Sequence, residues 1–166
     1  MPKRKDDILK KLGVPWITKD GYLDLAKFPI DSILKQALRD NDQDFQSSCR
    51  TLASMYVAGR TEAAIFLYGL LVYNCGDILR KEAIVDALGN VKTKESAHML
   101  FRELRNTVSS NSTRMYINTI LKSLKRFPSE SVMEDFKILL NDKKWSYRMK
   151  KKFKDILQEF EYVYER

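Results

Sequence analysis

An apolar pair spaced four residues apart recurs along this chain at nearly constant intervals. Leu67 and Leu71 are followed, at one and the same interval, by Leu100 and Leu104. Residues i and i+4 lie on the same face of an α-helix, so each pair marks the buried stripe of one helix. The interval, about 33 to 36 residues, lies in the range of known repeats. The whole series is Leu34 and Leu38, Leu67 and Leu71, Leu100 and Leu104, and Phe136 and Leu140.

A second apolar series alternates with the first and predicts two helices in each repeat. Its members lie at the ends of apolar faces with the helical period of about 3.6 residues. With nearly the same spacing as the first series, they are Met55, Leu88, Leu124 and Leu157. The face is clearest in Tyr116, Ile120, Leu121, Leu124 and Phe127, and in Met149, Phe153, Ile156, Leu157 and Phe160. Such a pattern is typical of helical repeats that bury a continuous core between neighbours.

Helix-breaking residues fall between these stretches and set the predicted helix ends. Pro128 cannot continue the preceding helix, and Thr93 and Ser129 are suitable N-caps for the helices that follow. We predict a short helix at 4–12 and eight repeat helices at 31–40, 43–58, 61–74, 77–90, 94–107, 112–127, 129–141 and 145–164. The predicted fold class is therefore all-α.

Residues 1–29 fit the repeat least well and are predicted to form an N-terminal cap or arm on a repeat domain at 30–166, in a single domain overall. Pro15, Asp20-Gly21 and Pro29 interrupt the helical period. An end repeat exposes apolar surface that an inner repeat hides against its neighbour. This segment is suited to cover that surface with Val14, Trp16, Ile17, Tyr22 and Leu25. A mobile arm is the alternative.

The second helix of the second repeat, Leu79 to Val91 (LRKEAIVDALGNV), resembles the HEAT repeat pattern, in which a basic residue opens the helix and Ala-Leu-Gly closes it. The resemblance covers residues 30–160 and extends to short bacterial or archaeal HEAT proteins and armadillo-type stacks. It implies an α-α superhelix, a solenoid of about four helix pairs with an N-terminal capping segment. It also implies a concave surface, lined by the second helices, that grips a protein or a nucleic acid.

The positive charge of the chain is concentrated in its C-terminal half. The net charge of +8 divides into +1 for residues 1–91 and +7 for residues 92–166. A basic surface attracts polyanions, and phosphate contacts would make that affinity depend strongly on salt. The candidate polyanion- or partner-binding residues are Arg114, Lys122, Lys125, Arg126, Lys143, Lys144, Arg148, Lys151 and Lys152. The alternative is that these side chains only keep the end of the stack soluble.

Candidate catalytic residues are few. The chain has one histidine, His98, and none of the common nucleophile, phosphate-loop or zinc-protease motifs. We therefore expect no cofactor and no metal. Because some HEAT-like proteins are DNA glycosylases or pigment lyases, an enzyme of that kind stays open as a minor alternative.

The most apolar stretch, Ala63 to Cys75, is shorter than the roughly 20 residues that a membrane-spanning helix needs. Without a signal-like N-terminus or a disulfide spacing of Cys49 and Cys75, we expect a cytoplasmic protein that does not enter membranes. The leading hypothesis is a non-catalytic scaffold that binds a protein partner through its concave surface. Nucleic-acid binding through the basic C-terminal repeats is the alternative.

Overall fold

A computed structural model describes residues 15–20 and 22–164, and the regular structure of this part is helical. The prediction of an all-α fold is confirmed for these residues, whose β-type pairing is limited to one bridge between Ile17 and Leu23. None of their helices combines the length and the apolar character that a bilayer crossing requires. The helices are α1 (Ile30–Ala37), α2 (Asp42–Val57), α3 (Glu62–Tyr73), α4 (Ile78–Val91), α5 (Lys94–Asn106), α6 (Arg114–Leu124), α7 (Met133–Asn141) and α8 (Tyr147–Tyr164).

Helices that are neighbours in sequence pack together, and the second helices of successive repeats also pack on one another. α1 to α6 each contact the helix that follows within this group, and α7 contacts α8. In addition, α2 packs on α4 and α4 packs on α6. The second apolar series lies in this core: Met55, Leu88 and Leu124 are fully buried, and Leu157 is 7% exposed.

The first repeat departs from the predicted register. Leu38 is 65% exposed, because α1 ends at Ala37 and Leu38 only caps it. The residues that α1 buries are Ile33 and Ala37, while Leu34 is partly buried against the core. The pairing of Leu34 with Leu38 as the core of this repeat is therefore wrong, whereas the pairs of the second and third repeats are buried as predicted.

The helix ends follow the predicted caps with one clear exception. Thr93 caps α5, where its Oγ1 accepts a hydrogen bond of 3.0 Å from the backbone N–H of Ser96. Ser129 instead begins a short 3-10 turn, Ser129–Ser131, and α7 starts only at Met133. The extra turn brings Val132 into the core, where it is fully buried. The other helix ends lie less than one helical turn from their predicted positions.

The described part of the N-terminal segment turns back on itself before α1. The backbone N–H of Asp24 donates to the carbonyl oxygen of Trp16 at 2.8 Å. The Trp16 ring meets the Phe28 ring edge to face, with 6.1 Å between centroids. Leu25 and Phe28 are partly buried against the core, whereas Tyr22 is 74% exposed. The predicted helix at 4–12 and Val14 lie outside the described residues.

Arg60, at the start of the second repeat, ties this segment to α3. Its Nη1 donates to the carbonyl oxygens of Ala26 at 3.3 Å and Phe28 at 3.0 Å. Its Nε donates to the Glu62 carboxylate at 2.5 Å. One guanidinium thus holds two backbone carbonyls and a carboxylate in fixed positions.

Gly89 sets the distance between α4 and α6. A Cβ placed on Gly89 would lie 2.8 Å from the Cβ of Ser123 and 3.0 Å from its Cα. Non-bonded carbon atoms are most favourably separated by about 3.5–4.0 Å. The end of the HEAT-like Ala-Leu-Gly motif therefore falls where these two helices meet, and the closeness of that contact requires glycine.

Candidate binding surfaces

A groove of about 320 Å³ runs across the second helices of the first three repeats. Phe45 is buried at its base, and the guanidinium carbon of Arg80 lies 4.9 Å from the centroid of the Phe45 ring. The groove is lined by Asp42, Phe45, Gln46, Arg50, Leu79, Arg80, Glu82, Ala83, Asp86, Thr119 and Lys122. Acidic, basic and apolar side chains therefore share one surface, and Lys122 is the one predicted basic candidate on it.

Each carboxylate in this groove already has a polar partner. Asp42 accepts a hydrogen bond of 3.3 Å from Arg80 Nε, and Glu82 accepts one of 2.8 Å from the Thr119 hydroxyl. Asp86 pairs with Arg126 Nη2 at 2.6 Å. Asp42 and Asp86 are thus paired with arginines, whereas the Glu82 carboxylate is held by a neutral hydroxyl and keeps its charge.

Two cations in the same groove are available. Arg50 and Lys122 are exposed, and neither forms an ion pair with a residue that the structure describes. Leu79 lies on the same surface with 68% of its area exposed. The groove therefore presents two positive charges without an ionic partner in the described ranges, together with one largely exposed leucine.

A second concave region, the basic cleft, lies between α6 and α8 and measures about 380 Å³. Three predicted candidates line it: Arg114, Arg148 and Lys152. The other lining residues are neutral: Ser109, Ser110, Asn111, Ile117, Asn118, Ser146 and Met149. The structure thus brings together side chains from helices of two different repeats, with no carboxylate among the lining residues.

Three of the remaining candidates are held by the protein itself. Lys125 pairs with Glu159, and Arg126 binds both the side chain and the carbonyl oxygen of Asp86. The ammonium of Lys144 donates to the carbonyl oxygen of Arg105, at the C-terminal end of α5. These contacts fasten one repeat to another, so the three positive charges serve the packing of the helices.

The last two candidates lie apart from the cleft. Lys143 is exposed in the turn before α8. Lys151 lines a third hollow with Leu140 and Asp155, on a different side of α8 from Arg148 and Lys152. The basic residues of α8 therefore do not form one continuous strip.

A partly buried polar cluster joins α4, α5 and α6. Lys81 Nζ lies 2.5 Å from Glu103 Oε2, and the two side chains are 14% and 17% exposed. The Tyr116 hydroxyl donates to the same carboxylate oxygen at 2.7 Å. Burial, together with this hydrogen bond to Glu103, raises the pKa of Tyr116 far above its usual value. The phenol therefore stays protonated and acts as a donor that links three helices.

The two thiols differ in their surroundings. Cys49 is fully buried and Cys75 is exposed, and neither forms a disulfide. Burial raises the pKa of the Cys49 thiol to about 12, although the positive charge of Arg80 opposes the rise. Since the thiolate is the reactive form, Cys49 is a packing residue. Within the described part of the chain, no cluster of three or more His, Cys, Asp or Glu side chains is placed to hold a metal ion.

Sequence reasoning did not single out Arg50, Leu79 or the amides Asn111 and Asn118. The helical register carried a signal for the groove. Arg50, Ala83 and Thr119 follow one another with the same spacing as the core residues Met55, Leu88 and Leu124. They occupy equivalent positions on three second helices, so they line one surface.

Comparison of the chain with protein-family models, with curated proteins and with solved structures finds no match in any of the three.

Proposed function

We propose that this protein is a HEAT-like helical scaffold that binds an acidic segment of a protein partner in the groove across α2, α4 and α6. The observation that carries the proposal is that the acidic side chains of that groove have partners within the protein, while two of its basic side chains have no ionic partner among the described residues. Asp42 and Asp86 are paired with arginines and Glu82 accepts a hydrogen bond, whereas Arg50 and Lys122 are exposed without an ionic partner among the described residues. A segment with carboxylates near these cations and an apolar side chain near Leu79 would complement the surface.

The solenoid arrangement belongs to the same proposal. Its support is the stacking of α2 on α4 and of α4 on α6, together with the glycine contact at Gly89. In a solenoid of this kind, the second helices form a continuous surface that accepts an extended partner. A cytoplasmic location is also part of the proposal, supported by the free state of Cys49 and Cys75.

The mixed charge of the groove favours a protein partner over a nucleic acid. A nucleic-acid backbone places a negative charge at every nucleotide. A strand lying along the groove would find only Arg50 and Lys122 as cations without an ionic partner among the described residues, and it would pass the charged Glu82 carboxylate. A protein segment alternates charged, polar and apolar side chains and can match such a surface position by position.

The test is a selection of peptides from a random library on the parent protein, followed by affinity measurements on single variants. We expect the selected peptides to be rich in Asp and Glu, with at least one apolar residue. Arg50→Glu and Lys122→Glu should each weaken their binding at least about tenfold, or ~1.4 kcal/mol. Lys143→Glu makes the same charge change in the turn before α8 and should leave binding within about twofold, since a distant surface charge acts weakly in salt.

Two outcomes contradict the proposal. One is a set of selected peptides whose affinity does not change in either groove variant. The other is tight binding of duplex or single-stranded DNA that falls with salt and is lost in the double variant Arg148→Glu with Lys151→Glu. The second outcome would favour a nucleic-acid-binding protein that acts through the C-terminal repeats.

A further inference from the structure

The basic cleft between α6 and α8 concentrates positive charge that forms no ion pair within the described part of the chain. Arg114 lies at the start of α6, and Arg148 and Lys152 lie one turn apart on α8. The remaining lining residues are neutral, and five of them carry side-chain hydroxyl or amide groups that can donate a hydrogen bond to an anion. Three like charges in one hollow repel one another, so an anion that entered it would relieve the repulsion.

The contacts that these cations already make leave their charge intact. Arg114 Nη2 donates to the side-chain oxygen of Asn111 at 2.6 Å, and Lys152 Nζ donates to that of Asn118 at 2.7 Å. Both acceptors are neutral amides, which orient the cations without cancelling them. Arg148 is exposed, lines the same cleft and forms no ion pair with a described residue.

The backbone at the start of α6 adds donors to the same region. Thr113, at the N-cap position, makes no side-chain hydrogen bond to the first turn. Its hydroxyl donates instead to the carbonyl oxygen of Val108 at 2.6 Å. The first N–H groups of α6 are thus without a side-chain cap, and such groups favour an anion beside them. This feature only supplements the three cations, which carry the inference.

We propose that the basic cleft binds the phosphate of a phosphorylated serine or threonine in the partner's segment. This inference rests on the proposed function in that a protein segment carries the phosphate. A phosphate monoester has a charge of about −1.5 to −2 at pH 7 and three acceptor oxygens, which suit two guanidinium groups and an ammonium. Asn118 lines the cleft and the next residue, Thr119, lines the groove, so one segment crossing α6 reaches both.

A phosphorylated side chain suits these surroundings better than a nucleic-acid strand. The cleft is a single hollow, and the groove that adjoins it across α6 contains Glu82 and Asp86 of α4. Towards the other end of α6, Lys125 is already paired with Glu159. A strand with a phosphate at each nucleotide would leave the cleft and meet carboxylates or neutralised cations. An isolated phosphate on a peptide meets only the cleft.

The first experiment titrates the isotope-labelled full chain with O-phospho-L-serine and follows the backbone amides by NMR. We expect shifts confined to the residues that line the cleft and the start of α6. Arg114→Gln, Arg148→Gln and Lys152→Gln should each weaken binding at least about fivefold, because each removes one charge-assisted contact. Arg102→Gln removes an exposed arginine of α5 that does not line the cleft and should change the affinity less than twofold.

The second experiment compares phosphoserine with dimethyl phosphate, a monoanionic diester, and with a ten-nucleotide oligo-dT. Phosphoserine should bind with the highest affinity per phosphate. Tighter binding of the diester or of the oligonucleotide through the same residues would replace the proposal with a nucleic-acid site. Chemical-shift changes spread over the whole surface, or an equal loss of affinity in Arg102→Gln, would indicate diffuse electrostatic attraction and would overturn the proposal.

The two proposals fail in distinguishable ways. Arg50→Glu and Lys122→Glu should leave the affinity for free phosphoserine within about twofold, since neither side chain lines the cleft. When phosphoserine is placed at successive positions of a groove-selected peptide, one position should gain at least about tenfold, and Arg148→Gln should remove the gain. Peptide binding without any such gain overturns the phosphate inference and leaves the groove standing. If phosphoserine binds in the cleft but no peptides are selected on the groove, the proposed function is overturned and the phosphate site is left standing.

Discussion

At the scale of single residues, Gly89 shows how one position controls the approach of two helices. The close contact is to the Cβ and Cα of Ser123, so the hydroxyl of that serine is not what a larger residue would meet. The hydroxyl is buried and has no hydrogen-bond partner among the described residues. Small size is therefore what the contact requires at Gly89, while the hydroxyl of Ser123 makes no visible contribution to it.

We expect Gly89→Ala to lower the free energy of unfolding by about 1–3 kcal/mol, the usual cost of overpacking a tight core. Adding Ser123→Gly should recover part of that loss, because it removes the nearest atom. Chemical denaturation of the two single variants and the double variant measures this coupling. Gly69→Ala is the control, since a Cβ at this position in α3 meets nothing within 4 Å. It should be neutral or stabilising, and equal losses at both glycines would contradict the role of Gly89.

The sequence indicated that Gly89 lies at a helix contact, but it did not indicate that Ser123 is the residue on the other side, and the reason is physical. The HEAT-like Ala-Leu-Gly end of α4 pointed to a small residue there, whereas Ser123 gave no signal of its own. Which residue faces Gly89 depends on the rotation and offset of α6 on α4, and apolar periodicity fixes only which side of a helix is buried. The prediction that Leu38 is buried was wrong for a related reason, because the periodic apolar pattern continues past the residue where α1 ends.

At the scale of elements, Arg60 links the described part of the N-terminal segment to α3. Arg60 holds the carbonyl oxygens of Ala26 and Phe28 and also donates to Glu62. The hydrogen bond from Arg60 holds the pKa of the Glu62 carboxyl below its ordinary value of 4.5. A lowered pKa in the folded state means that folding favours the ionised carboxylate, which in turn keeps the guanidinium in position.

This contact predicts a pH-dependent contribution to stability. Because the folded pKa of Glu62 is lowered, its contribution is present above pH 4.5 and is lost as the pH falls through the folded pKa. We expect the difference in unfolding free energy between the parent and Glu62→Gln to shrink steadily on going from about pH 6 to about pH 3. Urea denaturation at several pH values measures it. A difference that stays constant over this range would contradict the prediction.

The predicted elements matched the structure where apolar period and capping chemistry agreed. Thr93 both ends a period break and caps α5, so this boundary was found from the sequence. Ser129 has the same chemistry, but Val132 is drawn into the core and a 3-10 turn intervenes before α7. The gain from burying Val132 depends on the packing of distant residues, which no local pattern records.

At the scale of the whole molecule, the sequence predicted the uneven distribution of charge, but it did not predict which cations form ion pairs within the protein. The excess of positive charge in residues 92–166 is a fact of composition. Whether each cation is used for packing depends on partners in other repeats. Arg126 pairs with Asp86 of the preceding repeat, and Lys125 pairs with Glu159 of the following one. Removing such paired cations from the candidates leaves the three residues of the cleft, Lys122 of the groove, Lys151 of the third hollow and the exposed Lys143.

The packing of the helices also predicts how stability is distributed along the chain. α4 contacts α2, α3, α5 and α6, whereas the main helix contact of α8 is with α7. In repeat proteins, each repeat is stabilised mainly by its immediate neighbours, so inner helices open less often than outer ones. Hydrogen exchange should therefore be at least about tenfold slower for the core amides of α4 than for those of α8.

The variant Gly89→Ala extends this comparison to a test of the repeat architecture. In a solenoid, weakening the contact between α4 and α6 should speed exchange in those two helices and leave α8 nearly unchanged, because coupling passes only between neighbours. In a single cooperative unit, the same substitution would speed the slowest amides of every helix by one common factor. Exchange that accelerates uniformly from α1 to α8 would therefore contradict the proposed solenoid, although it would leave the groove and the cleft in place.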